Sequence, residues 1–195
     1  MVNAFYHHAD TPSLLVIDTK HSGKADSLNC GINASRSPYF CSVDADSVLE
    51  RDALIKLMTP VLEATTPVVA CGGVVRVLNG VQLDADRQIA HIDLPRNALA
   101  VFQIVEYIRG FLFGRVGFGA LNSLLILSGT FSLFHKASII EVGGYHEGNV
   151  SEDMEIVVRL HKARREQGKP YAVRFISDPI CWTEVPENLT MLARQ

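Results

Sequence analysis

An apolar, β-prone run, residues 39–43, ends abruptly in two carboxylates one residue apart, Asp44 and Asp46. Side chains alternate faces along a strand, so the two carboxylates point the same way if the strand continues through them. A pair of carboxylates at the C-terminal edge of a strand makes a hard, anionic oxygen site. Such a site suits Mg²⁺ or Mn²⁺, which complete their shells with water and substrate phosphate. It also lies where ligands bind in open α/β sheets. The alternative is a polar strand end whose Asp-Ala-Asp-Ser starts the next helix.

The chain has 195 residues, enough for one domain with a sizeable core. Hydrophobic residues make up 48% and charged residues 20%, the balance of a folded globular protein. The 18 basic and 21 acidic residues give a net charge of −3, which excludes the electrostatic footprint of a nucleic-acid binder. The four cysteines, Cys30, Cys41, Cys71 and Cys181, are widely spaced with no C-x-x-C, so a reducing compartment is expected and a disulfide framework or zinc cage is not. The N-terminus lacks the regions of a signal peptide. Residues 116–134 carry no charge and approach the length of a membrane span. Their glycines, serines, asparagine and threonine favour a buried loop and strand, with a partly membrane-facing surface as the alternative because Phe111-Leu112-Phe113 precedes them.

Taken in order, residues 1–13 carry little pattern, and Leu14-Leu15-Val16-Ile17 reads as a buried strand. Ser22 is a candidate cap for a helix with Ala25, Leu28 and Ile32 on one face. Lys24 falls in that helix's first turn. From position alone it reads first as a solvent-exposed lysine; with the helix amides it is also placed to meet a phosphate. A right-handed crossover makes the strands at 14–17 and 39–43 parallel. Leu54, Leu57, Met58, Val61 and Leu62 have helical spacing, with a kink or break expected at Pro60. Val68-Val69-Ala70-Cys71 and Val74-Val75-Arg76-Val77-Leu78 read as strands split by Gly72-Gly73, and Asn79-Gly80 as a hairpin turn. A loop is expected over 84–95 and a helix over 96–115. Strand character at 131–134 and a short helix at 136–141, stopped by Gly143-Gly144, come next. The spacing of Ile156, Val157, Leu160 and Ala163 predicts a helix from Ser151 to about Gln167, with Gly168 as its C-cap. Glu152 and Asp153 at its start also suit the helix dipole, whatever else they do. Residues 171–175 read as a strand, and Thr183-Glu184-Val185-Pro186 as a turn before a last helix.

The order of these pieces is more specific than any one of them. Gly23-Lys24 with Leu28-Asn29 and Gly31, Asp44-x-Asp46, Gln103-x-x-Glu106-Tyr107, Ser128-Gly129-Thr130, Gly143-Gly144-Tyr145, Glu152-Asp153, Thr183-Glu184-Val185-Pro186 and Gln195 occur in turn. In this the chain resembles a family 2 glycosyltransferase of the GT-A fold. It is most similar to the membrane-bound processive branch, which includes poly-N-acetylglucosamine, hyaluronan and cellulose synthases.

The resemblance implies an α/β fold, a GT-A (Rossmann-like), mostly parallel sheet flanked by helices. Residues 1–195 would form a single incomplete catalytic domain whose first strand-helix-strand unit is missing. It implies transfer of a sugar from a UDP-sugar donor to a glycan acceptor with inversion, assisted by Mg²⁺ or Mn²⁺. Carried over by position, Asp153 resembles the general base, Asp46 the metal ligand, and Asp44 a contact to the sugar nucleotide. Lys24 resembles a residue lining the nucleotide pocket, Gly129 the loop beneath the acceptor, and Glu152 and Gln195 further substrate contacts. The Arg-Trp that follows such a glutamine in this branch is not present. The parent is therefore expected to be longer and membrane-embedded at the cytoplasmic face of the inner (plasma) membrane, and this part alone weakly active or inactive. An exposed sheet edge would favour self-association. Two other readings remain: a phosphohydrolase with Asp44 as nucleophile, and a non-catalytic scaffold that keeps the acidic edge.

Overall fold

The computed structural model describes residues 2–146, 148 and 151–193. Strands β1 (Val2–His8) and β2 (Thr11–Thr19) pair with each other as an antiparallel hairpin and stand apart from the main sheet. The expected parallel pairing of residues 14–17 with 39–43 is therefore not formed. Closing the short turn between His8 and Thr11 costs less chain entropy than a crossover through a helix. Leu15 and Ile17 are half-buried while Leu14 and Val16 are exposed, so this strand has one open face and is not of the buried type.

The chain continues through α1 (Lys24–Ala34), β3 (Tyr39–Val43), β4 (Val48–Leu49), α2 (Ala53–Glu63), β5 (Val68–Val77) and a small hairpin of β6 (Val81–Leu83) and β7 (Ile89–Ile92). That hairpin occupies part of the expected loop at 84–95. Asp84 folds it over by accepting the amides of Asp86 and Gln88 on its side chain. A continuous helical stretch follows: α3 (Ala98–Ile108), a π-helical segment (Arg109–Arg115) and α4 (Val116–Ala120). Asn97 caps it, its side-chain oxygen accepting from the amides of Leu99 and Ala100. The remaining elements are β8 (Phe131–His135), α5 (Lys136–Glu141), α6 (Glu152–Glu166), β9 (Ala172–Thr183) and the single turn α7 (Leu189–Leu192). Among the described residues no helix is long and apolar enough to cross a membrane.

Five strands form the central sheet in the order β3-β8-β5-β9-β4. The α/β architecture is the expected one, but β5–β9 alone is parallel and the other three pairs are antiparallel. The uncharged stretch before β8 feeds that strand into the sheet at the end where β3 leaves it, which reverses its direction. Helices cover both faces. Ile32, Ile139, Ile156, Val157 and Leu160 of α1, α5 and α6 pack on one, with Phe134 and Val173. Leu57 of α2 and Phe111 of the π-helical segment pack on the other, with Phe131, Ile180 and Cys181. Phe131 and Leu133 thus face one layer and Phe134 the other, the alternation a strand imposes.

β5 lies at the centre and runs unbroken through Gly72-Gly73, where a split was expected. These glycines are places of close approach. A Cβ on Gly72 would lie 3.1 Å from Leu127, and one on Gly73 2.9 Å from both Ile176 and Ile180. Helix α2 likewise continues through Pro60. Its buried face is Ala53 and Leu57 with Met58 and Val61 beside them, while Leu54 and Leu62 point outward.

Candidate active site

The antiparallel register of β3 and β8 builds the site. It sets Val43 opposite Phe131, so the residues just beyond β3 lie beside those just before β8. Asp44 follows β3, and its amide donates to the Thr130 carbonyl at 3.0 Å. The strand does not continue through the carboxylates: Asp44 lies outside it and Asp46 is exposed in a turn. The peptide then enters the short strand β4, not a helix.

Helix α1 starts beside this edge. Its N-cap is Gly23, at φ 106°, a conformation that favours glycine. Ser22 does not cap the helix; its hydroxyl bonds to the Lys20 carbonyl and the Asp26 carboxylate. Gly23 turns Lys24 into the site. The Lys24 ammonium is 2.7 Å from Asp44 Oδ1 and 3.3 Å from Glu152 Oε1, and donates to the Gly129 carbonyl at 3.3 Å. Burial alone would lower the Lys24 pKa, but the hydrogen bond and charge of Asp44, with Glu152 behind them, raise it overall. Lys24 therefore stays an ammonium and holds two carboxylates together that would otherwise repel.

Asp153 sits in the first turn of α6, where Oδ1 accepts from the Met154 amide at 2.9 Å. A Cβ on Gly129 would lie 3.6 Å from both Asp153 Oδ2 and Lys24 Nζ. Gly129 thus separates the Asp44 cluster from Asp153 with no side chain to fill the gap. The loop is held by Ser132, whose buried hydroxyl donates to the Ser128 carbonyl at 2.7 Å and accepts from the Ser128 amide. Beyond it opens a cavity of about 350 Å³ lined by Tyr107, Phe111, Arg115, Thr130 and Asp153.

The sequence-predicted residues Lys24, Asp44, Gly129, Glu152 and Asp153 are thus brought together, with Asp46 just outside them. Gln195 lies outside the described residues. Gln103 lies away from the cluster and supports another motif, donating to the Pro186 carbonyl at 2.8 Å. Sequence reasoning missed His161, which is buried in α6. Its Nε2 lies 2.8 Å from the Leu124 carbonyl and its Nδ1 2.6 Å from the Tyr171 hydroxyl. A carbonyl can only accept, so Nε2 carries the proton and Nδ1 accepts from Tyr171. Burial lowers its pKa, against the Leu124 bond and with help from Arg165. It also missed Arg115, whose one signal is being the last charge before the uncharged stretch. Three of the cysteines are poor nucleophiles: burial raises Cys41 and Cys181 to about 11 and Cys71 to about 12.

A sequence model described as glycosyltransferase-like family 2 matches residues 7–195. The chain belongs to this glycosyltransferase family. It is 26% identical over 201 residues to the poly-beta-1,6-N-acetyl-D-glucosamine synthase of Staphylococcus aureus, covering 97% of this chain and 41% of that protein. The synthase of the same description from Staphylococcus epidermidis is 28% identical over 181 residues, covering 89% and 37%. The family 2 chain therefore spans about two fifths of the length of these relatives. Its fold matches that of a mannosyltransferase from Pyrobaculum calidifontis, in complex with GDP-Man and Mn²⁺, at a TM-score of 0.54 and 18% identity, covering 88% of this chain and 39% of that one. The GT-A expectation is thus met.

Proposed function

We propose that this family 2 chain carries the catalytic centre of an inverting glycosyltransferase that moves a sugar from a UDP-sugar donor to a growing glycan. The observation that carries the reading is Lys24, one ammonium shared by Asp44, Glu152 and the Gly129 loop beside Asp153. Elements far apart in sequence meet there around one gap, with a cation and a carboxylate on opposite sides of it.

In this reading Lys24 and Asp44 hold the donor's nucleotide side and Glu152 keeps Lys24 in place. Asp153, across Gly129, takes the proton from the acceptor hydroxyl as that oxygen attacks the anomeric carbon opposite the departing diphosphate. General-base assistance of this kind contributes about 10²–10⁴-fold, and positioning of the two substrates supplies much of the remainder. Asp46 is the candidate metal ligand, with Asp44 two residues before it. Among the described residues no group of three or more His, Cys, Asp or Glu side chains is arranged to hold a metal ion. That donor set fits Mg²⁺ or Mn²⁺, which bind through one or two carboxylates plus substrate phosphate, and does not fit an all-protein cage. When bound, the cation supplies neutralisation of the charge that develops on the leaving diphosphate. The named relatives make N-acetylglucosamine the first donor sugar to test. Membrane embedding of a longer parent belongs to the same proposal. The phosphohydrolase alternative leaves Asp153 without a part to play.

Titrating UDP into the chain by calorimetry, with and without Mn²⁺, tests the donor site. Binding that needs Mn²⁺ and is lost in Asp46→Ala is expected. Metal-independent binding, equal in the variant, would overturn the assignment of Asp46.

A further inference from the structure

The helical stretch after Asn97 changes its winding where it passes the site. Arg109–Arg115 is π-helical over seven residues. Such segments are rare and occur frequently at functional sites, because the wider turn re-aims side chains. Here it buries Phe111 and folds Arg115 back over that ring, with Cζ 3.8 Å from the ring centroid. The stack fixes the guanidinium plane. Its Nη1 is buried and has no hydrogen-bond partner among the described residues. A buried guanidinium donor left unpaired is costly, and a ligand oxygen would relieve that cost. Burial lowers the Arg115 pKa, and the charge of Asp153 opposes that shift.

Arg115 and Asp153 line the same cavity, about 350 Å³ in volume, within the usual range of small-molecule sites, about 300–1,000 Å³. The half-buried Tyr107 forms another wall, its ring centroid 5.5 Å from that of Phe111. An aromatic wall, a fixed fork of N–H donors and a carboxylate suit a ligand with an apolar C–H face and many oxygens. A sugar ring is such a ligand.

We propose that this cavity is the acceptor subsite and that Arg115 is an acceptor-binding residue. Its guanidinium donates to an oxygen of the terminal sugar, Tyr107 faces the sugar's C–H surface, and the reacting hydroxyl is left against Asp153. The proposal rests on the reading of Asp153 as the base, and it assigns the π-helical segment a function: aiming Arg115 inward.

The test measures two ligands separately on the same 195-residue chain: UDP with Mn²⁺ by calorimetry, and a β-1,6-linked N-acetylglucosamine tetramer by saturation-transfer NMR. Arg115→Met keeps the stem on Phe111 and removes the donors; Arg115→Lys keeps a charge without the fork. A charge-assisted hydrogen bond predicts that Arg115→Met weakens the tetramer about 10- to 100-fold. UDP affinity should stay within about twofold, with Arg115→Lys intermediate for the tetramer. Unchanged tetramer binding in Arg115→Met would overturn the proposal, as would an equal loss of both ligands. A wild-type chain that binds UDP and not the tetramer would overturn the subsite alone. One that binds neither would overturn the proposal that this chain carries the catalytic centre as well.

Discussion

Asn29 and Tyr145 exchange two hydrogen bonds. Asn29 Nδ2 donates to the Tyr145 carbonyl at 2.8 Å, and the Tyr145 amide donates to Asn29 Oδ1 at 2.8 Å. One side chain of α1 thereby satisfies both backbone groups of a buried residue in the turn that follows α5. Gly144 makes the approach possible: at φ 73° it suits glycine, and a Cβ there would lie 2.5 Å from Asn29 Oδ1. Arg159 of α6 braces the same turn, donating to the carbonyls of Val142 and Gly144. The joint fixes α1, and so Lys24, relative to α6 and Asp153.

Asn29→Ala leaves both Tyr145 backbone groups without this partner. Two unmet buried groups at about 1–3 kcal/mol each set the scale, and solvent access to a half-buried joint brings the expected loss to about 2 kcal/mol. Urea unfolding of the variant against wild type measures it. Gly144→Ala should cost at least as much, since it adds a clash to an unfavourable backbone conformation.

Lys24→Met removes the ammonium between Asp44 and Glu152. The pair is partly exposed, with side-chain exposures of 43% for Lys24 and 33% for Asp44, so the stability change should stay within about 1 kcal/mol. Ligand binding should respond more. UDP affinity in Mn²⁺ is expected to fall about tenfold, as one charge-assisted contact is lost. A large drop in melting temperature with unchanged UDP affinity would make Lys24 structural instead.

Asp153→Asn keeps the size of the side chain and abolishes its basicity. Turnover of a UDP-sugar with a glycan acceptor, measured on the most active form of the enzyme, should fall about 10²–10⁴-fold. UDP binding by calorimetry should stay within about twofold, because Asp153 lies on the far side of Gly129 from Lys24. An equal loss of binding and turnover would move Asp153 to the donor site.

Stability should fall as pH drops below neutrality. The pKa of His161 is lowered from its ordinary value of 6.5 by burial, and that of His135 is lowered by burial and by Arg164. Below about pH 6.5 the unfolded chain binds more protons at these sites than the folded one, so stability rises with pH. The contribution is complete above about 6.5 and lost as pH falls towards the folded pKa values. Urea-unfolding free energies between pH 7 and pH 5 should show this slope, and His161→Phe should flatten it whatever its effect on absolute stability.

The sequence by itself determined the local elements and the chemistry at their ends. The apolar run at 39–43 stopping at Asp44, the acidic start of α6 and its face of Ile156, Val157 and Leu160 are all written in periodicity and capping, which depend on near neighbours. The conformational role of Gly143-Gly144 was legible for the same reason. Partner choice was not. Nothing in residues 39–43 says that β3 lies antiparallel to β8, yet that register puts Asp44 beside Thr130. Nothing in residues 14–17 says that their strand pairs with residues 2–8. Only the tertiary structure decided that Lys24 pairs with Asp44 and Glu152, that Asn29 and Tyr145 are one joint, and that Arg115 turns inward. Each of these depends on groups far apart in sequence, whose meeting is fixed by strand pairing and helix packing across the whole core.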